Sequence, residues 1–293
     1  MRAIARSAAA PDVSPFLLGP VFVGRGASGR DAVTERCHRV SLGSRVPLSP
    51  CPMTPSSLPV VFVHSLGGSP AQWRPQVERL TSPAIAVTLP GHAGADARPT
   101  YSVEALADAV VAQADGLDRF VVVGHSGGAL VAAHVAATHP DRVAGLVLVD
   151  PGTDGRAFPR EMAEPMLAAL RSEAYPDVAA EHWGALLDGA ADDTRALALA
   201  DLAATDPEAL PSFFESLGSY DAVTPIRAVA ASRPVVAVVT PNSEGTDAVV
   251  SEADGAEVVH VDGTSHWVHL DRPDVVSDTV DRVLRQVEVA VAA

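Results

Sequence analysis

The apolar run Phe120-Val121-Val122-Val123 leads without a break into Gly124-His125-Ser126-Gly127-Gly128. A run with no polar alternation reads as a strand buried on both faces. A helix is expected near 127–138, stopped by His139-Pro140. The chain must therefore turn sharply from strand to helix inside a Gly-x-Ser-x-Gly pentapeptide. Small residues allow that strained turn, which projects the serine hydroxyl above the sheet edge. Gly127 can then offer its backbone N–H to an oxyanion at the helix N-terminus. The bland alternative is a glycine turn with an incidental serine. The flanking strand and helix are the context the motif demands.

Two further segments supply what a serine nucleophile lacks. Leu58-Pro59-Val60-Val61-Phe62-Val63 reads as a second buried strand and runs into His64-Ser65-Leu66-Gly67-Gly68-Ser69. Such a loop beside the serine can place a second N–H toward the oxyanion, and Leu66 is the candidate. Near the C-terminus, Glu257-Val258-Val259-His260-Val261 leads into Asp262-Gly263-Thr264-Ser265-His266. A histidine in a loop after a last strand can reach back over the sheet edge and accept the serine proton, which nominates His266.

With these residues in place, the chain resembles the α/β-hydrolases, in particular the small group with a helical cap. The segments GHSGG, HSLGGSPAQW, LPGH (Leu89 to His92) and GTSHWVHLDRPD match that family in order and spacing, over about residues 58 to 290. The resemblance implies a mostly parallel sheet flanked by helices on both faces, with a helical cap insertion. It implies Ser126 as nucleophile, His266 as base, no cofactor, and a small carboxylic ester as substrate. Two positions depart from the family pattern. Ser65 stands where the loop usually has glycine, and Thr88 where the strand before LPGH usually ends in aspartate.

The third member of a triad, a carboxylate that orients the histidine, is harder to place. The family usually carries it in the turn after the strand corresponding to Pro234–Val239, as roughly Gly-x-x-Asp. This chain has Thr240-Pro241-Asn242-Ser243 there. Asp150, at the end of Val143–Val149, is on the correct side of the sheet and is the first candidate. Glu244 and Asp247 are the alternatives if the loop takes a shifted path, and a site without an acid is the third possibility.

Beyond residue 58, strands are expected at 59–63, 84–89, 119–123, 143–149, 233–239 and 256–261. Helices are expected near 70–80, 102–116, 127–138 and 273–289. Residues 155–231 contain no convincing strand and several helical stretches, such as Arg160–Arg171, Ala179–Leu187 and Thr194–Ala204. They read as the cap, inserted into a core made of 53–154 and 232–293. Met162, Met166, Trp183, Phe213, Phe214 and Tyr220 are the expected apolar wall of a pocket beneath it.

Residues 1–52 stand apart. They carry seven arginines against Asp12, Asp31 and Glu35, whereas the rest of the chain carries 14 arginines against 33 acids. Their many prolines break any secretory h-region. A disordered tail, or upstream sequence with Met53 as the true start, is the expectation. Gly24-Arg25-Gly26-Ala27-Ser28-Gly29 fits a dinucleotide fingerprint, but the helix, second strand and acid it needs do not follow.

The net charge of −15 argues against a nucleic-acid partner. No apolar stretch reaches the roughly 18 residues of a transmembrane helix. A cytoplasmic protein with a small-molecule substrate is expected. Both cysteines, Cys37 and Cys51, precede the hydrolase-like region, so neither a disulfide framework nor a cysteine metal site is expected in it. His269 follows His266 without an acidic or cysteine ligand nearby, so packing behind the base is expected rather than metal binding. His64 and His125 are expected to hold the nucleophile turn by hydrogen bonds, and Trp73 to anchor the oxyanion loop. The leading functional reading is a serine hydrolase working through an acyl-enzyme. The rivals are a fold-retaining binding or signalling protein and a carbon–carbon bond hydrolase.

Overall fold

The computed structural model describes residues 58–157, 159–243, 249–250 and 254–292. Residues 1–52, Glu244 and Asp247, on which expectations were placed, lie outside the described residues.

The strands are β1 (Val60–Val63), β2 (Ala84–Val87), β3 (Phe120–His125), β4 (Val143–Val149), β5 (Val235–Val239) and β6 (Glu257–His260). They form one parallel sheet in the order β2-β1-β3-β4-β5-β6. From β1 the chain moves outward to β2 and then returns to the other side of β1 as β3. That reversal opens a crevice at the C-terminal ends of β1 and β3, where open α/β sheets place their ligands. The loop after β1 and the turn after β3 both end there.

The valine-rich strands follow from cover on both faces. Val61, Val63, Val122, Leu146 and Leu148 face one apolar layer. Val60, Phe62, Val121, Val123 and Val147 face the other. The first layer packs on α2 (Val103–Gln113) and α3 (Gly127–Thr138). The second packs on the C-terminal helix α10 (Pro273–Ala292), whose Val276, Val280, Val283 and Val287 recur at helical spacing. A short 3-10 turn (Pro70–Trp73), α1 (Arg74–Arg79) and α9 (Val268–Asp271) complete this side.

Five helices separate β4 from β5: α4 (Arg160–Leu170), α5 (Tyr175–Leu186), α6 (Asp192–Ala203), α7 (Ala209–Leu217) and α8 (Val223–Ala230). The sequence pattern had singled out the first three; α7 and α8 are additional. The expected strand 84–89 ends early, at Val87. The backbone of Thr88 is taken by a side chain instead: its N–H donates to Gln113 Oε1 at 3.0 Å, and Gln113 Nε2 donates to its carbonyl at 2.8 Å. The expected strand 119–123 runs on to His125, because β4 continues to pair with it as far as His125↔Val149.

Candidate active site

Ser126 sits between β3 and α3 with φ 53° and ψ −125°. A left-handed φ is costly for serine, about 1–3 kcal/mol, and persists only where the surroundings enforce it. Here the Ser126 N–H donates to Val149 O at 3.0 Å, and its carbonyl accepts from Ala129 N at 2.9 Å and Gly152 N at 3.2 Å. The flanking glycines are required by contact. A Cβ on Gly124 would lie 2.2 Å from the carbonyl oxygen of Gly128, and one on Gly128 would lie 2.2 Å from that of His64. Helix and strands approach so closely that no side chain fits between them.

Asp150, just past β4, is fully buried and also has a positive φ, 42°. Its Oδ2 accepts from His266 Nδ1 at 2.6 Å. Because a carboxylate accepts, Nδ1 carries the proton, and Nε2 is left as the lone-pair nitrogen. Oδ2 also accepts from Thr240 Oγ1 at 2.7 Å, while Oδ1 accepts from the Thr240 N–H at 2.8 Å and from Ser243 Oγ. The turn after β5, which lacks an acid, thus supplies three donors to an acid carried by β4. Sequence reading missed Thr240 and Ser243; the signal was a pair of hydroxyls three residues apart in the turn where a carboxylate was expected.

The loop bearing His266 is itself fixed. Asp271 Oδ2 accepts from the Ser265 N–H at 2.9 Å and Ser265 Oγ at 2.6 Å, and Oδ1 accepts from Thr194 Oγ1 of α6 at 3.1 Å. The His266 N–H donates to Leu186 O, at the end of α5, at 3.1 Å.

Leu66 and Gly127 are brought together across the crevice. A Cβ on Gly127 would lie 2.5 Å from Leu66 Cδ2. Gly127 is the first residue of α3, so its N–H has no partner inside the helix. Ser65, in the position where glycine is usual, is not among the residues with positive φ, so a side chain is tolerated there without backbone strain. Trp73 is fully buried, its ring 4.9 Å from that of Phe62 and 4.4 Å from that of His269.

One histidine does other work than expected. His64 makes no side-chain bond to the turn that carries Ser126: its Nδ1–H donates to Ser65 O at 2.8 Å and its Nε2 accepts from the Leu89 N–H at 3.1 Å. It joins the ends of β1 and β2. His125 bonds outward, to the carbonyl of His266 at 2.9 Å. His269 is buried behind the site, its ring 4.4 Å from that of His125. Burial pushes the imidazoles of His64 and His269 down to about 3 and that of His125 well below its ordinary value.

A cavity of about 770 Å³ opens over the sheet edge. Ser126, Gly127, Leu66 and His266 line its floor, and Met166, Trp183, Phe213 and Phe214 of the cap line its walls. Met162 and Tyr220, also expected there, are not part of that wall. Tyr220 turns instead toward His134, whose Nδ1 lies 3.2 Å from its hydroxyl. The charged residues of the cavity include the exposed pairs Arg160–Glu164 at 2.7 Å and Arg171–Glu215 at 2.7 Å, so they add little net charge. Among the described residues no group of three His, Cys, Asp or Glu is disposed to hold a metal ion, and no helix is long and apolar enough to cross a membrane.

Over 123 residues the chain is 37% identical to a pimeloyl-[acyl-carrier protein] methyl ester esterase of Neisseria meningitidis, a match covering 39% of this chain and 47% of that protein. It is 36% identical over 115 residues to a lipase of Mycobacterium tuberculosis, covering 38% of this chain and 44% of the lipase. The matches thus span less than half the length of these curated relatives. Among solved structures, the enol-lactonase of Burkholderia xenovorans superimposes with a TM-score of 0.67 at 23% identity, over 78% of this chain and 92% of that one. A thermophilic esterase of Thermogutta terrifontis gives a TM-score of 0.67 at 22% identity, over 80% and 92%. At these identities the likeness is one of fold. Residues 60–279, most of the chain, match the alpha/beta hydrolase family. With the elbow, the parallel sheet and the inserted helices in the order that family requires, the chain belongs to the alpha/beta hydrolase family.

Proposed function

We propose that this protein is a serine hydrolase that cleaves a small, largely apolar carboxylic ester through an acyl-enzyme. The observation that carries the reading is the hydrogen bond between His266 and Asp150 beside a cavity that Ser126 and His266 both line. Ser126 Oγ attacks the ester carbonyl and His266 Nε2 takes its proton. Asp150 holds the ring in the tautomer that leaves Nε2 free and stabilises the imidazolium that forms. The N–H groups of Leu66 and Gly127 receive the oxyanion. Collapse of the tetrahedral intermediate expels the alcohol, which takes the proton from His266. Water, deprotonated by the same nitrogen, then releases the acid and regenerates Ser126.

The cavity wall favours an uncharged acyl or alcohol portion, because its inner surface is apolar and its charged residues include two arginine–glutamate pairs. The names of the curated relatives, a methyl ester esterase and a lipase, point to the same bond class. The proposal keeps the cytoplasmic location and the small-molecule substrate expected from the sequence, and its steps call on no cofactor.

The test is hydrolysis of p-nitrophenyl acetate and butyrate, with fluorophosphonate labelling, by the wild-type chain and by Ser126→Ala. Turnover and labelling confined to the wild type are expected, with a loss of several orders of magnitude in the variant. Equal turnover by the two proteins would sink the assignment of Ser126. A well-folded wild type that neither turns over nor labels would favour a binding protein on this fold.

A further inference from the structure

The loop that carries Leu66 is held from above by the cap, through one carboxylate. Asp201 lies near the end of α6, and its Oδ2 accepts two hydrogen bonds: from Ser69 Oγ at 2.8 Å and from Gln72 Nε2 at 2.8 Å. Both donors are buried, Gln72 completely. Ser69 caps the 3-10 turn that follows it, since its Oγ accepts from the Ala71 N–H at 3.3 Å. Its hydroxyl proton is then free to point at Asp201. Beside this contact the cap presses directly on the loop. A Cβ on Gly67, whose φ is +67°, would lie 2.6 Å from Trp183 Cζ2 and 3.1 Å from Leu202 Cδ1. Leu202 is the residue after Asp201 on α6.

Asp201 makes no ion pair among the described residues. Burial raises the pKa of its carboxyl, and the two hydrogen bonds from the loop oppose that rise. A half-buried carboxylate with only neutral donors is poorly placed to add stability through charge. It is well placed to fix geometry, because both of its bonds end on the segment from Ser65 to Trp73. An N–H that must meet a developing oxyanion has to be held before the charge appears. Leu66 lies inside a turn that the Gly68 N–H closes on Ser65 O at 3.1 Å, and the segment that leaves this turn is the one Asp201 holds.

We propose that Asp201 is a positioning residue for the oxyanion loop: it clamps Ser69 and Gln72 from the cap and so holds the Leu66 N–H in register with Ser126. This deepens the esterase reading and rests on it.

The test compares Asp201→Leu, which keeps the size and cannot accept a hydrogen bond, with Asp201→Asn, which retains one oxygen able to accept both. Ser69→Ala removes one bond while leaving Asp201 in place, and serves if Asp201→Leu does not fold. In Asp201→Leu, kcat on p-nitrophenyl butyrate is expected to fall by about tenfold or more, less than the roughly 10²–10³ that loss of a whole oxyanion donor costs. KM should stay within about twofold, as for an interaction made in the transition state alone. Inhibition by a trifluoromethyl ketone, whose hemiketal oxyanion needs the same donors, should weaken by the same factor as kcat. Asp201→Asn should restore most of the lost rate, and Ser69→Ala should show the same signature at smaller size. Amide hydrogen exchange over residues 65–73 should rise in Asp201→Leu, while that over 262–271 stays as in the wild type.

Unchanged kcat and unchanged exchange in Asp201→Leu would overturn the proposal. So would a loss confined to KM, or one that tracks a fall in melting temperature and is not restored by asparagine. If the wild-type chain hydrolyses no ester, the esterase reading fails on its own, and the exchange of residues 65–73 still decides whether Asp201 holds the loop.

Discussion

The His125 ring, next to the elbow serine, donates its Nε2–H to the backbone carbonyl of His266 at 2.9 Å. The segment carrying Ser126 and the segment carrying His266 are thereby joined behind the cavity. The bond fixes the His125 tautomer, because a carbonyl only accepts. A neutral ring suffices for it, and a second proton on His125 would be buried beside His269 and His266.

Acid should therefore unfold this protein early. His64, His125 and His269 are fully buried, and each has a folded-state pKa well below that of the free side chain. The unfolded chain takes up protons at these positions from about pH 6.5 downward, while the folded chain does not. Stability is complete above that pH and is lost as pH falls toward the folded-state values. Three such groups give a slope of about 4 kcal/mol per pH unit, against a total stability of about 5–15 kcal/mol. Thermal melts between pH 8 and pH 4 are expected to show a flat upper region and a steep fall below about pH 6. A melting temperature that holds to pH 4 would show that these rings are not buried in neutral form.

Asp150→Asn should cut kcat by about three to four orders of magnitude, by analogy with the serine-protease triad. An asparagine amide facing the Thr240 N–H, both hydroxyls and the ring is forced to oppose donor to donor. Thr240→Val removes one of four donors and should cost about tenfold, within the range for an orienting hydrogen bond. Steady-state kinetics on a p-nitrophenyl ester decide the order. Thr240→Val as damaging as Asp150→Asn would mean that the carboxylate acts on the turn rather than on His266.

Glycine substitutions should separate contact from propensity. Alanine at Gly124 or Gly128 would drive a Cβ to 2.2 Å from a carbonyl oxygen, so both variants should lose several degrees of melting temperature or fail to fold. Gly184, inside α5, has nothing within 4 Å of its missing Cβ and no positive φ. Gly184→Ala should stabilise by about 0.5–1 kcal/mol. Differential scanning calorimetry of the three variants gives the comparison directly.

The sheet was readable in the sequence because β1, β3, β4 and β5 are apolar runs covered on both faces, and the elbow because its glycines are enforced by contact. Ser126 follows directly on β3 and His266 sits in the loop after β6, both past the point where strand periodicity stops, so both could be nominated without coordinates. Asp150 could be named the first candidate, but Glu244, Asp247 or no acid stayed open, since the choice depends on a bond between residues 116 positions apart. Thr240, Ser243 and Asp201 were invisible for the same reason. Each is a small polar side chain whose partner is fixed by the packing of separate elements, and no local pattern records it. α7 and α8 were under-read although both are amphipathic, because Pro211 and Pro225 in their first turns read locally as breaks.

The bond from the His266 N–H to Leu186 O has a bearing on how such a protein could be rebuilt. α5 supplies that carbonyl and one wall of the cavity, and α6 bonds Asp271 as well as Ser69 and Gln72 of the loop after β1. A cap transplanted from a relative to change substrate preference would bring its own helix ends to these junctions. Unless the replacement offers a carbonyl at the Leu186 position, a hydroxyl at Thr194 and an acceptor at Asp201, the graft alters the floor of the cavity along with its roof. Exchange of specificity in this chain is therefore better sought at Met166, Phe213 or Phe214, which face the cavity and make none of these bonds.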